Sequence, residues 1–343
     1  MNAVVLHEHG GIDKLRYQEF PDPVAGLDEV LIRVRACGVN HLDLLTREGR
    51  VASKVSLPHI MGAEVAGEIV ALGPHVRGLG VGMAVAVATR LACGRCEYCA
   101  RGEDNICLIS RAIGLEVPGG YAELMVAPVA NCVPLPPGVS FRDSAAFTLA
   151  GLTAWHMLVT RAKLKPGEDV LVIAAGSGVG SAAIQIAKLM GARVIATAGT
   201  DDKLQLAKEL GADEVINHRE RPFDEEVRRI TRKRGVDVVF EHVGAATWER
   251  SINALGKNGR LVTCGAHTGS STTLEIWRLF TRQISLIGSY LGTKGELLEV
   301  LRLIGLGRIR PVIHSVLPLA EAQEAHRILE ERRHFGNLLL EPR

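Results

Sequence analysis

The sequence predicts an α/β protein in which a β-rich domain accompanies a doubly wound parallel sheet. Three observations predict it. The chain has 343 residues, more than a single hydrophobic core usually organises, so two domains are expected. Up to about Ala130, short β-type runs such as EVLIRVRACGV, AEVAGEIVALG and VGMAVAVAT are broken by Gly and Pro, the pattern of a compact antiparallel domain. From Leu164-Lys165-Pro166-Gly167 onward, continuous apolar strands alternate with helical stretches, the mark of a parallel sheet covered on both faces.

In order, the alternating region reads DVLVIAA, SAAIQIAKLM, RVIATA, DDKLQLAKEL, DEVIN, FDEEVRRITRKR, VDVVFEHV, TWERSINAL, GRLVTCG, LEIWRLFTRQ and ISLIGSY. Six strands fit a complete doubly wound sheet. From about Leu291 the chain returns to mixed segments, with helices ELLEVLRLIGL and AEAQEAHRILEE and a closing NLLLEP strand. There is neither an internal repeat nor a low-complexity segment.

Composition narrows the function. Hydrophobic residues make up 47%, and the formal charge is +2 with no basic run, so nucleic acid and membrane surfaces are not expected partners. No apolar stretch approaches the ~20 residues of a bilayer span, and MNAVVLHEHGG lacks the charge pattern of a secretory leader. A cytoplasmic enzyme with a small-molecule substrate is the expectation.

The first strand of the alternating region, Asp169 to Ala175, runs directly into Gly176-Ser177-Gly178-Val179-Gly180 and then a helix. Glycines there let the backbone turn and approach a pyrophosphate, whose charge sits at the helix N-terminus. A NAD-binding fold usually places Asp or Glu at the end of the next strand to hold the ribose 2′-hydroxyl. Here that strand ends Thr197-Ala198-Gly199-Thr200, without an acid. A carboxylate would repel a 2′-phosphate; Thr200, Lys203 and Arg219 could donate to one, although Asp201 and Asp202 lie close by. NADP is therefore favoured over NAD, with NAD possible.

Seven cysteines are present, and four cluster as CGRCEYCARGEDNIC. Two, two and seven residues separate Cys93, Cys96, Cys99 and Cys107. Four thiolates close a tetrahedral shell around zinc and leave no open position, so this zinc is expected to be structural. An iron–sulfur cluster lacks its usual proline-flanked run, and two disulfides disagree with a cytoplasmic setting.

Taken together, these features resemble the medium-chain dehydrogenase/reductase superfamily, the zinc-type alcohol dehydrogenases and their quinone-oxidoreductase relatives. The resemblance rests on ACGVNHLDLLTREG from Ala36, MGAEVAGEIVALG from Met61, the cysteine lobe and GVGSAAIQIAK from Gly178. It implies a GroES-like catalytic domain over residues 1–149 and 289–343, with the zinc lobe at 93–107. It implies a Rossmann dinucleotide-binding domain over 150–288, an active site in the cleft, and a homodimer or homotetramer. Val243 and Gly265, at later strand ends, would border the nicotinamide.

The sequence departs from that family at the catalytic metal. Zinc alcohol dehydrogenases ligate with a Cys, a His in a Gly-His-Glu run, and a second Cys. Cys37 matches the first; the second falls on Ala63 of Gly62-Ala63-Glu64, and the third on Leu149. Neither Ala nor Leu binds metal. Meanwhile Gly38-Val39-Asn40, with Asp43 and Arg47, resembles the zinc-independent quinone oxidoreductases, in which Asn40 and Asp43 would lie near nicotinamide and substrate. The expected catalytic residues are therefore Cys37, Asn40, Asp43 and Glu64. Each has a plainer reading: Cys37 as a small buried residue, Asp43 bonded within its own turn, Glu64 paired to an arginine. The leading reaction is hydride transfer to a quinone or activated alkene without a catalytic zinc. An alcohol dehydrogenase with an atypical zinc shell around Cys37 and Glu64, and a nucleotide-binding protein without turnover, are the alternatives.

Overall fold

The structure, a computed structural model, describes residues 1–51 and 54–342. It divides into two compact units, Met1–Ala150 with Thr293–Arg343, and Gly151–Gly292.

In the first unit, β1 (Asn2–Leu6) pairs antiparallel with β2 (Leu15–Glu19) and, on its other side, with His59–Ile60. The long β3 (Glu29–Val39) follows, its apolar residues alternating inward over the first half and buried throughout at Ala36–Val39. It leads straight into α1 (His41–Arg47). Next come β4 (Glu64–Leu72), β5 (Ala84–Val87), β6 (Leu124–Pro128), β7 (Cys132–Pro134) and α2 (Phe141–Ala145). Side chains of Val4, Leu6, Ile32, Val34, Ile69, Val85 and Tyr121 share one core.

The second unit is the expected doubly wound sheet. Its elements are β8 (Asp169–Val172), α3 (Gly178–Leu189), β9 (Arg193–Ala198), α4 (Asp201–Glu209), β10 (Glu214–Asn217) and α5 (Phe223–Ile230). There follow β11 (Val236–Glu241), α6 (Ala245–Ala254), β12 (Leu255–Thr263), α7 (Ile276–Thr281) and β13 (Ser285–Gly288). All pairs are parallel and the order is β10-β9-β8-β11-β12-β13, so the strand order reverses beside β8, where α/β folds place their ligand.

The chain then rejoins the first unit through α8 (Lys294–Gly305), β14 (Ile313–Pro318), α9 (Ala322–Glu330) and β15 (Asn337–Glu341). The large sheet runs β7-β5-β4-β3-β15-β14, with β6 also on β3. Leu338, Leu339 and Leu340 of β15 lie opposite Val39, Gly38 and Cys37. The segment that carries the candidate site is thus clamped in mid-sheet.

Candidate functional site

Glu64 opens β4 directly opposite Gly38 of β3 and is fully buried. A Cβ on Gly38 would stand 2.5 Å from Glu64 Oε2 and 2.5 Å from the Ala145 carbonyl oxygen. Glycine is the one residue that leaves room for this carboxylate. Three donors converge on it: Asn40 Nδ2 at 2.8 Å on Oε2, and the Leu149 and Ala150 amides at 2.6 and 3.1 Å on Oε1. Burial pushes the Glu64 carboxyl up to about 7 against the opposing pull of those donors. The arginine partner considered for Glu64 is replaced by an amide side chain and two backbone N–H groups. Asn40, half-exposed at the head of α1, is thereby oriented by Glu64.

Asp43 sits on the first turn of α1, buried, and its carboxylate accepts the Asn40 amide at 2.7 Å and the Gly62 amide at 3.3 Å. The first bond is the local one anticipated; the second reaches another segment. Burial raises the Asp43 carboxyl to about 6.

Cys37 does not join this group. It neighbours Gly38 on β3, so its side chain points to the opposite face of the sheet. There its sulfur packs against Gly62 and Gly120 in the apolar core, and burial pushes the thiol well up, with the Asp43 and Glu64 carboxylates adding to the effect. The structure buries Cys37 and brings the Asn40 side chain rather than the Cys37 thiol into hydrogen-bond contact with Glu64. Among the described residues, no set of three His, Cys, Asp or Glu side chains gathers here as metal ligands would.

In the second unit, β8 feeds the glycine loop. Ser177 caps α3, its hydroxyl accepting the Gly180 amide at 2.9 Å and donating to Ala174 O at 3.0 Å. A Cβ on Gly180 would lie 2.4 Å from the Ala174 oxygen, so the helix can approach the strand only with glycine there. Gly176, Gly178 and Val179 complete the turn, and the opening of α3 offers its N–H groups and dipole to an anion. At the tip of β9, a Cβ on Gly199 would come within 2.9 Å of Arg219 Nε, so the exposed Arg219 side chain lies over the strand end beside exposed Thr200. Asp201 Oδ1 takes the Asn217 side-chain amide at 3.3 Å. Lys203 is half-buried on α4 and engaged within the protein.

Two residues that were not singled out shape this end of the sheet. His242 bridges Ile173 O at 3.0 Å and Ser177 Oγ at 3.3 Å, tying the end of β11 to the glycine loop. Glu241, fully buried, accepts from the Val243 and Gly244 amides and from the Thr247 and Ser251 hydroxyls. That carboxylate fixes the Val243–Gly244 turn. A cavity of about 410 Å³ lies beyond it, lined by Gly244, Ala245, Trp248, Thr263, Gly265 and Ala266.

The four-cysteine lobe converges as its spacing predicts. The four sulfurs of Cys93, Cys96, Cys99 and Cys107 all lie within 4.8 Å of one another; Cys96 and Cys99 are 3.5 Å apart, Cys93 and Cys99 4.0 Å. A tetrahedral zinc with Zn–S bonds of about 2.3 Å has sulfurs roughly 3.8 Å apart, so the donor set fits that ion. Backbone N–H groups of Cys93 and Cys96 point at the Cys107 and Cys93 sulfurs, both at 3.3 Å, and amides also lower the Cys96 thiol to about 6. Gly94 and Gly102, at φ +70 and +79, allow the knuckle turns.

Comparison with known proteins accords with this arrangement. Residues 26–137 match the alcohol dehydrogenase GroES-like domain, and residues 178–305 match the zinc-binding dehydrogenase domain. A solved NAD-dependent alcohol dehydrogenase is 46% identical, with a TM-score of 0.96 over 99% of both chains. A NAD-dependent alcohol dehydrogenase of Sulfolobus acidocaldarius is 35% identical over 99% of each chain. Quinone oxidoreductase 1 of Escherichia coli is 32% identical, again over 99% of each. With a GroES-like domain, a parallel nucleotide-binding sheet and full-length similarity to both kinds of enzyme, the chain belongs to the medium-chain dehydrogenase/reductase superfamily of zinc-binding dehydrogenases and is an oxidoreductase.

Proposed function

We propose that this enzyme transfers a hydride from a reduced nicotinamide dinucleotide to a small, already polarised acceptor, a quinone or an activated alkene, without a zinc ion at the reacting centre. The observation that supports it is the set of residues where the family's catalytic metal would be held. Ala63 and Leu149 carry no donor, the Cys37 thiol is turned into the apolar core, and the space beside Glu64 is occupied by the Asn40 amide. A polarised acceptor needs no Lewis acid, only positioning and a hydrogen bond to the oxygen that gains charge. Asn40 has a second amide hydrogen beyond the one given to Glu64, and it serves as that donor. Glu64 and Asp43 hold it in place, through its side chain and its backbone amide respectively.

The nucleotide, when bound, supplies the hydride. The second unit's part is to hold it: the Gly176–Gly180 loop and α3 take the pyrophosphate, and Val243 and Gly265 border the nicotinamide. The tip of β9 lacks a carboxylate, and Arg219 lies over it, which favours NADP(H) over NAD(H), although relatives are named for NAD. The four-cysteine lobe holds one structural zinc. The edge strand β13 and the exposed Ile276, Trp277 and Phe280 of α7 support assembly of two or more copies through that edge.

The test is a substrate panel with each reduced nucleotide. Quinones or enones reduced far faster than simple alcohols are oxidised is the expected result. Efficient alcohol oxidation, with quinones and enones inert, would overturn the proposal.

A further inference from the structure

The glycine loop turns on a residue that is not glycine. Between β8 and α3, Ala174 stands at φ +53, in the left-handed region that favours glycine. An alanine persists there only when its surroundings over-determine it, and such strain gathers at binding sites. Three side chains from separate parts of the second unit hold the peptide groups on either side of Ala174. Thr197 of β9, fully buried, accepts the Ala174 amide on Oγ1 at 3.2 Å. The Ser177 hydroxyl donates to Ala174 O at 3.0 Å, and the Ser177 amide reaches the same oxygen at 3.1 Å. His242, 5% exposed at the end of β11, places Nε2 3.0 Å from Ile173 O and 3.3 Å from Ser177 Oγ.

The acceptors settle the direction of these links. A carbonyl oxygen only accepts, so Nε2 of His242 carries the hydrogen and donates to Ile173 O, with Ser177 Oγ as a second acceptor. Burial draws the imidazole below its usual titration range and keeps it neutral, although the Glu241 charge pulls the other way. The Ser177 oxygen gives its own hydrogen to Ala174 O and has two lone pairs, one for His242 and one for the Gly180 amide at 2.9 Å. The backbone that carries the ring is itself held: Glu241 takes the Val243 and Gly244 amides, and Val243 O takes the Thr268 amide at 2.9 Å and hydroxyl at 2.8 Å. An apolar side chain would fill the same space with less desolvation. What the imidazole adds is a grip on the peptide before Ala174 and, through Ser177, on the one after.

We infer that His242 is a positioning residue for the dinucleotide: it clamps Ala174 in its left-handed conformation and so presets the Gly176–Gly180 loop and the opening of α3 for the pyrophosphate. The inference rests on the reading of that loop as the pyrophosphate site and is independent of the acceptor class.

His242→Leu and His242→Gln in the full-length enzyme, each alone and combined with Ala174→Gly, test it. The readout is calorimetric titration with ADP-ribose and with its 2′-phosphate, which carry the pyrophosphate without the nicotinamide. Leu fills the space and donates nothing; the Gln side-chain amide can donate from the place of Nε2. His242→Leu should weaken binding about tenfold and raise nucleotide KM to match, while kcat at saturation stays within about threefold. His242→Gln should bind within about threefold of wild type. Glycine adopts the left-handed conformation without strain, so in the Ala174→Gly background His242→Leu should weaken binding by no more than about twofold. Wild-type affinity in His242→Leu, equal damage in His242→Leu and His242→Gln, or the same loss with and without Ala174→Gly would overturn the inference. Wild-type protein that binds neither ligand would overturn the glycine-loop reading itself, and the inference with it.

Discussion

Replacing Glu64 by Gln changes one atom in a buried site and removes a titration. In the native protein Glu64 titrates at about 7, against 4.5 when unfolded, mainly because burial penalises its charge. Between those values the folded state binds a proton that the unfolded state does not. The stability Glu64 contributes is therefore fully present below about pH 4.5 and is lost as pH rises through about 7. At about 1.4 kcal/mol per pH unit, that gap amounts to about 3 kcal/mol. Gln has nearly the same shape. Its carbonyl can take the Leu149 and Ala150 amides, while Asn40 turns over to present its oxygen to the new amide. Equilibrium urea unfolding of both proteins at pH 5 and pH 8 isolates the effect, since all other titrating groups are shared. The wild type should lose about 3 kcal/mol relative to Glu64→Gln on going to pH 8. A stability difference that is the same at both pH values would refute the placement of an ionisable, water-excluded carboxyl at this site.

Other consequences follow from individual contacts. Gly38→Ala, whose Cβ would collide with Glu64 Oε2 and the Ala145 oxygen, should cost about 1–3 kcal/mol in a thermal melt and depress kcat. Cys37→Ala, in the core on the opposite face, should leave kcat within about threefold; the reverse ranking would return Cys37 to the site. Arg219→Ala should lower kcat/KM for NADPH about tenfold and leave NADH nearly unaffected, as expected for a lost charge-assisted bond to a 2′-phosphate. Equal losses with both nucleotides would contradict that reading. Strong chelation should lower the melting temperature, and Cys107→Ser should mimic it; a melt unchanged by either would argue against a zinc that orders the lobe.

Much of this was legible in the sequence because it depends on local spacing. The glycine loop lies within five residues of one strand–helix junction, and the cysteines within one lobe, so spacing alone brings their atoms together. The alternation of strands and helices likewise forced a parallel, doubly wound sheet. The acceptor site was legible only in part. Asn40 and Asp43 share a helix turn, and their bond could be anticipated. Which face of β3 Cys37 occupies depends on register with β4 and β15, set by the whole sheet. The Leu149 and Ala150 amides reach Glu64 across more than eighty residues. No pattern of spacing encodes contacts of that range. Glu241 and His242 were missed for a related reason: strand-end polar residues look alike in sequence, and only the closed turn shows which ones carry hydrogen bonds.

The most direct test is the metal content of fully active protein, measured by mass spectrometry after exhaustive dialysis. The account predicts about one tightly held zinc per chain, lost when the four-cysteine lobe is mutated. About two per chain, with the second surviving in a Cys93→Ser/Cys96→Ser variant and required for turnover, would contradict it.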